Sequence, residues 1–275
     1  MTDWAWIGGR VVPADHIVAH ADDRGLTLGV GVFETIRVRH GAPLRWDAHQ
    51  TRLLAGLTAL GVPPPTALAH ARTGMAALAS RAGLSDAVAR LSVSAGPGPR
   101  GLNPPSVRHS WAWMTLAPRP HPPTAVRLAS VSVPRHPDAP SCRYKTLSYG
   151  DGVVARAQAA ASGADWGLMR GPDGAVAGAD CANVFWFDGD VLYTPSRRTG
   201  ALAGVTRLAI LKAARAWRWP VRIGRFSADA LKAGRDVFVS NTVIGVAPVV
   251  TIDDAPTDQS ALERLARLRT HLEAA

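Results

Sequence analysis

A few side chains in this chain carry types and spacings that could do chemistry. Lys145, in the stretch CRYKTLSY, stands just ahead of an alanine-rich run with helical spacing. An amine held there could react with a carbonyl once burial lowers its pKa, although most lysines are solvated surface charges. The run GVTR at residues 204–207 opens an amphipathic segment. The backbone N–H groups of Val205 and Thr206, with the Thr206 hydroxyl beside them, would then lie at a helix N-terminus, which suits an anion by geometry and dipole. Arg52 follows His49 by three residues and so shares a helix face with it, and its planar fork of donors suits a phosphate. Arg100 lies in the glycine- and proline-dense loop GPGPRGLNPPS, where a carboxylate-binding arginine could be placed. The stretch SNT at residues 240–242, including Thr242, reads as a polar turn between two apolar runs.

The elements that must position these groups follow from periodicity. WAWIGGRVV predicts a hairpin turning at Gly8-Gly9, and VFETIRV alternates as a strand before a turn at His40-Gly41. The DDRGLTLG stretch before that strand reads as a glycine-punctuated loop. Residues 47–60 take helical spacing through Leu53, Leu54, Leu57 and Leu60, with Asp47 as N-cap and Gly61 as stop, and a second helix is expected over residues 65–82. Two more strands lead to the stiff segment PRPHPPT. We therefore expect a smaller N-terminal α/β domain over residues 1–118, a linker over 119–125 and a larger C-terminal α/β domain over 126–275 that carries Lys145. In that second part AVRLASVSV, GLMR, GAVAGAD, ANVFWF and DVLYTP read as strands, and SALERLARLRTHLEAA as a closing amphipathic helix.

Composition narrows the classes. The chain is 47% hydrophobic and 19% charged, as globular proteins are, and no apolar run is long enough for a membrane span. The start lacks the order of a signal peptide, so a cytoplasmic protein is expected. Cys142 and Cys181 lie in no CxxC pattern, which leaves a zinc site or disulfide framework unsupported. The net charge of +10 comes from arginines scattered among alanines and prolines, without a basic stripe. That favours an anionic small ligand over nucleic acid.

Taken in order, these segments resemble the class IV aminotransferases, the fold-type IV pyridoxal-phosphate enzymes. DRGLTLGVGVFETIRV matches their Asp-Arg-Gly…Gly-Asp-Gly-x-Phe-Glu opening, HQTRL their His-x-x-Arg-Leu, and the Asn183-Val-Phe strand and GVTR follow at compatible spacing. KTLSYGDGVVARAQAAASGADWGLM, CANVFW and VLYTP look most like the aminodeoxychorismate lyases of that family. The resemblance implies a two-domain α+β/α/β architecture like that of D-amino-acid aminotransferases, with the cofactor in the cleft between the domains, and a homodimer. It implies pyridoxal 5'-phosphate bound as a Schiff base to Lys145, which would also serve as the mobile base. Arg52, Val205, Thr206 and Thr242 would hold the phosphate, and Arg100 would orient an anionic substrate. The expected reaction converts 4-amino-4-deoxychorismate to 4-aminobenzoate and pyruvate; the alternatives are a branched-chain or D-amino-acid aminotransferase, and a diverged homologue with weakened use of the cofactor. The last arises because Gly178 stands where the family has a glutamate for the pyridine nitrogen, five residues before Asn183. Asp180, two residues on and on the same strand face, is the candidate replacement. Val30, Phe33 and Leu102 also depart from the pattern of some relatives.

Overall fold

The computed structural model describes residues 3–106, 108–260 and 262–274. The chain divides into two compact units: residues 1–120 with 144–148, and residues 121–143 with 149–275. Each has its own sheet and core.

The first unit is built on β1 (Trp4–Ile7), β2 (Arg10–Pro13), β3 (Gly31–Arg39), β4 (Ala42–Pro43), β5 (Asp86–Ser94) and β6 (Trp111–Pro118). They form an antiparallel sheet in the order β2-β1-β6-β5-β3-β4. Both hairpin turns expected from glycine occur, with Gly8 and Gly9 at positive φ in one and His40 and Gly41 in the other. Helices α1 (Arg24–Leu28), α2 (Trp46–Ala59) and α3 (Ala71–Arg81) complete the unit. Leu53 and Leu57 of α2 and Met75 and Leu78 of α3 are buried with Trp6, Ile36 and Met114. That is the outcome expected when an i, i+4 apolar stripe meets the apolar face of a sheet.

Three local details differ from the sequence reading. The DDRGLTLG stretch contains α1, because the Asp23 side chain accepts hydrogen bonds from the Gly25 and Leu26 amides and nucleates a turn. Helix α2 begins one residue earlier than its expected cap, with Arg45 in the left-handed region at φ 54° and Asp47 inside the first turn. The first turn of the second expected helix is a 3₁₀ segment, Thr66–His70.

The second unit contains β7 (Val126–Ser130), α4 (Pro140–Arg143), α5 (Gly150–Ala161), β8 (Trp166–Arg170), β9 (Val176–Ala179), β10 (Asn183–Asp188) and β11 (Val191–Pro195). Then follow α6 (Val205–Ala216), β12 (Val221–Gly224), α7 (Ala228–Lys232), β13 (Arg235–Asn241), β14 (Gly245–Ile252), β15 (Ala255–Pro256) and α8 (Glu263–Ala274). The strands make a mixed sheet in the order β12-β11-β10-β13-β14-β7-β8-β9, with β15 paired to β14. Phe185 stacks on Phe238 with ring centroids 5.0 Å apart, and both are buried with Ile210 of α6 and Leu265, Leu268 and Leu272 of α8. The polar turn between β13 and β14 spans residues 242–244, because Ser240 and Asn241 remain in strand register opposite Val246 and Gly245.

Lys145 was expected in the C-terminal part, and the structure packs it with the first unit instead. The segment Tyr144–Ser148 crosses β3: Lys145 O accepts from Phe33 N at 2.9 Å, Leu147 N donates to Gly31 O at 2.9 Å, and Thr146 bridges Val32. Backbone pairing outweighs sequence proximity here.

Candidate active site

The candidate residues fall in both units. In the first, the Lys145 Nζ lies 4.1 Å from the centroid of the Phe33 ring, and the Arg90 guanidinium carbon lies 3.7 Å from the same centroid. The lysine is half-buried, and its backbone is clamped through the bonds to β3. Next to it Thr146 is buried, and its Oγ1 has no hydrogen-bond partner among the described residues.

Along β3 the next residue, Glu34, is 1% exposed and takes three donors on one carboxylate. Arg52 gives Nε to Oε1 at 2.7 Å and Nη2 to Oε2 at 2.5 Å, and His49 Nδ1 meets Oε2 at 2.7 Å. Burial alone would push the Glu34 pKa up, but the bonds from Arg52 and His49 outweigh it and hold the carboxyl below its ordinary range. Burial drives His49 the other way, toward the neutral ring, against the pull of Glu34. A neutral His49 then donates from Nδ1, and its buried Nε2 has no partner among the described residues. The shared helix face of His49 and Arg52 was readable from their spacing, whereas the acid that joins them was not recognised in VFETIRV. An acid at the inward position of an apolar strand was the available signal.

Arg100 lines a cavity of about 440 Å³ with Asp22, Leu28 and Pro99. Its loop is braced by the buried Arg24, whose guanidinium donates to Pro99 O at 3.0 Å, Gly101 O at 3.1 Å and Leu102 O at 3.2 Å. Arg24 in turn starts the helix capped by Asp23, whose other oxygen accepts from Trp111 Nε1 at 2.7 Å. The loop that carries Arg100 is thus held by the DRG residues.

In the second unit the N-terminus of α6 has no side-chain cap, and Val205 and Thr206 are buried there. Gly204 sits so close to Asn183 that a Cβ would overlap the Asn183 Oδ1, and Asn183 Nδ2 donates to Leu202 O at 2.9 Å. Only glycine lets that helix start approach the Asn-Val-Phe strand. Thr242 opens the turn after β13, where Asn241 Oδ1 accepts from the Val243 and Ile244 amides at 2.9 and 3.0 Å. The hydroxyl of Ser240 is buried without a partner among the described residues.

Asp180 has partners that its place in the sequence did not reveal. Its carboxylate is 2% exposed and receives Arg156 Nε and Nη2, each at 2.7 Å, together with the Gly167 amide at 3.0 Å. A carboxylate so bound ties α5 to β8 and is already matched to a cation. Arg156, midway along an alanine-rich helix, gave no sign of this in sequence.

Among the described residues there is no helix long and apolar enough to cross a membrane, and no group of three or more His, Cys, Asp or Glu residues placed to hold a metal ion.

With two sheet-and-helix units, a clamped lysine and an uncapped helix start beside Asn-Val-Phe, the chain has the construction of one protein class. The family model for amino-transferase class IV matches residues 31–252, and the chain belongs to that family. Within it, the aminodeoxychorismate lyase of Bacillus subtilis (strain 168) is 28% identical over 256 residues, covering 90% of this chain and 86% of that protein. The crystal structure of 4-amino-4-deoxychorismate lyase from Pseudomonas aeruginosa superposes with a TM-score of 0.85 at 30% identity, over 98% of each chain. The branched-chain aminotransferase of the thermophilic archaeon Thermoproteus uzoniensis, solved with norvaline, shares the fold with a TM-score of 0.89 at 23% identity, over 98% of this chain and 94% of that one.

Proposed function

We propose that the protein is a pyridoxal-phosphate-dependent lyase that converts 4-amino-4-deoxychorismate to 4-aminobenzoate and pyruvate. The observation that carries the reading is Lys145: a half-buried amine on a backbone clamped to β3, with its Nζ against the Phe33 ring. Membership of the class IV family supports the cofactor, and likeness to the two lyases supports the reaction.

Each unit by itself offers part of what a phosphorylated aldehyde needs, and two of its three ends have candidate partners. The uncapped α6 start offers amides of Val205 and Thr206 to a phosphate, and the partnerless Ser240 hydroxyl precedes the Thr242 turn. Lys145 offers the amine, with the partnerless Thr146 hydroxyl beside it in sequence. At the ring nitrogen, Gly178 brings no acid and Asp180 is bound to Arg156. When bound, the cofactor would supply an aldehyde that condenses with amines and a conjugated ring that withdraws electrons.

The chain's own groups have the following parts. Lys145 holds the cofactor and then carries a proton on Nζ to and from the substrate. Arg52, one edge of its fork fixed by Glu34, adds positive charge for the phosphate. Arg100, on the loop braced by Arg24, orients a substrate carboxylate. The reaction discards the enolpyruvyl side chain as the ring becomes aromatic, so no keto-acid acceptor is required. Without an acid for the ring nitrogen the electron sink is weaker, which penalises transamination more than a reaction driven by aromatisation. We assign the protein to the cytoplasm as a homodimer on family grounds.

The test has two stages. The purified protein is incubated with pyridoxal phosphate, reduced with borohydride and mapped by peptide mass; a pyridoxyl adduct on Lys145, absent in Lys145→Ala, is expected. The loaded enzyme is then given 4-amino-4-deoxychorismate with no keto acid, and 4-aminobenzoate should accumulate over many turnovers. No adduct on Lys145 refutes cofactor use. Adduct formation with turnover only of an amino acid and keto acid identifies an aminotransferase instead.

A further inference from the structure

The second unit holds a cavity of about 420 Å³ to which none of the roles above belongs. Two segments line it: Asp138, Cys142 and Arg143 come from one, and Arg197, Arg198 and Gly200 from the other. The lining carries three guanidinium groups and one carboxylate. Among the described residues, the side chains of Arg143, Arg197 and Arg198 make no hydrogen bond or ion pair. Several arginines elsewhere are matched by a carboxylate, as Arg37 is by Asp86, Arg127 by Asp165 and Arg156 by Asp180, whereas three lie together here with none of their own.

Arg207, within electrostatic reach of Arg197, adds to the positive charge on this side. It is 8% exposed, its Nη2 donates to Pro195 O at 3.0 Å, and its buried Nε has no partner among the described residues. Burial, then the charge of Arg197, depress its pKa. A buried cation that meets a second cation and no acid is an unfavourable arrangement unless an anion arrives.

The walls are also fixed in advance. Arg135 donates from Nε to Gly200 O at 2.9 Å and from Nη2 to Cys142 O at 3.3 Å, so one guanidinium ties both segments together. Gly200 has φ 91°, and a Cβ there would press on the Arg135 backbone, whose amide donates to Arg170 O at 2.9 Å. The backbone of both segments is thus held before binding, and the exposed arginine side chains are what an anion would order.

We infer that this cavity binds a compact anion carrying at least two negative charges, either a phosphate group or a small dicarboxylate. Guanidinium forks match both chemistries, and the volume falls in the range of small-ligand sites, roughly 300–1,000 Å³. A monoanion would leave the lining with net positive charge. The inference does not depend on the role of Lys145.

The experiment is calorimetric titration of the dialysed full-length protein with inorganic phosphate and, separately, with malonate. It is repeated on Arg197→Ala/Arg198→Ala, on Arg143→Ala and on the exposed control Arg215→Ala. Saturable binding of one or both anions is expected, weakened about tenfold or more by the cavity substitutions and unchanged by Arg215→Ala. Saturation by phosphate alone assigns the site to phosphoryl groups, by malonate alone to dicarboxylates. Should an alanine variant melt early, Arg197→Gln/Arg198→Gln replaces it. No saturable binding, equal weakening by Arg215→Ala, or binding untouched by the cavity variants overturns the inference.

Discussion

Replacing Glu34 by Gln tests how the first unit holds its arginine. The change keeps the volume, so no cavity forms, and it removes one buried charge. Three donors converge on that carboxylate: Arg52 Nε and Nη2 and His49 Nδ1. An amide has one acceptor and one donor group to set against them. His49 can adapt, because its Nδ1 can become an acceptor once the proton moves to the partnerless Nε2. Arg52 cannot adapt, and its side chain is only 11% exposed. One of its N–H groups would face an amide N–H, and its charge would lose the buried Glu34 carboxylate. Breaking a buried pair from one side costs about 3–5 kcal/mol, and the retained acceptor places this case near 3 kcal/mol. For a chain of this size that corresponds to a melting point lower by roughly 6–12 °C.

The pH dependence gives a second, independent signature. His49 has a folded pKa below its ordinary 6.5, so below about that pH the unfolded chain takes up a proton that the folded chain refuses, and stability falls with falling pH. Glu34 has a folded pKa below 4.5, so its contribution is complete above that value and is lost as pH falls through the folded pKa. The gap between wild type and Glu34→Gln should therefore be constant above about pH 5 and close at lower pH. The assay is urea unfolding at pH 8, 6 and 4, with Arg52→Met and the double variant completing a cycle. A loss under about 0.5 kcal/mol at pH 8, or a coupling energy near zero, would refute the argument that Glu34 and Arg52 act as a pair.

Two further outcomes follow from single residues. Asp23→Ala should destabilise the protein by about 2–4 kcal/mol in urea unfolding, because it uncaps α1 and strands the Trp111 Nε1 donor; a loss under about 1 kcal/mol would show that water replaces the carboxylate. Part of Cys181 reaches the surface, yet burial around its sulfur and the neighbouring Asp180 push the thiol up to about 12. Iodoacetamide at pH 8 should therefore leave Cys181 unmodified in the native protein and label it after unfolding, as read by peptide mass; rapid native labelling would contradict this.

The sequence by itself determined the elements whose causes are local. The Gly8-Gly9 hairpin, the alternating strand at Gly31–Arg39, the leucine stripe of α2 and the glycine start of α6 follow from backbone freedom and from side-chain period, which act over a few residues. The order of motifs along the chain also sufficed to point to the class IV family. Tertiary structure decided the partners. Lys145 is close to the start of α5 in sequence but is paired with β3, because Thr146 and its neighbours complete the backbone hydrogen bonds of Gly31 and Phe33. Asp180 lies just past the end of β9, outside the strand its spacing implied, and Arg156 reaches its carboxylate from α5. Glu34 lies eighteen residues from Arg52 and meets it only because α2 packs on β3. Which charge neutralises which depends on the packing of elements distant in sequence, and periodicity along one segment carries no information about it.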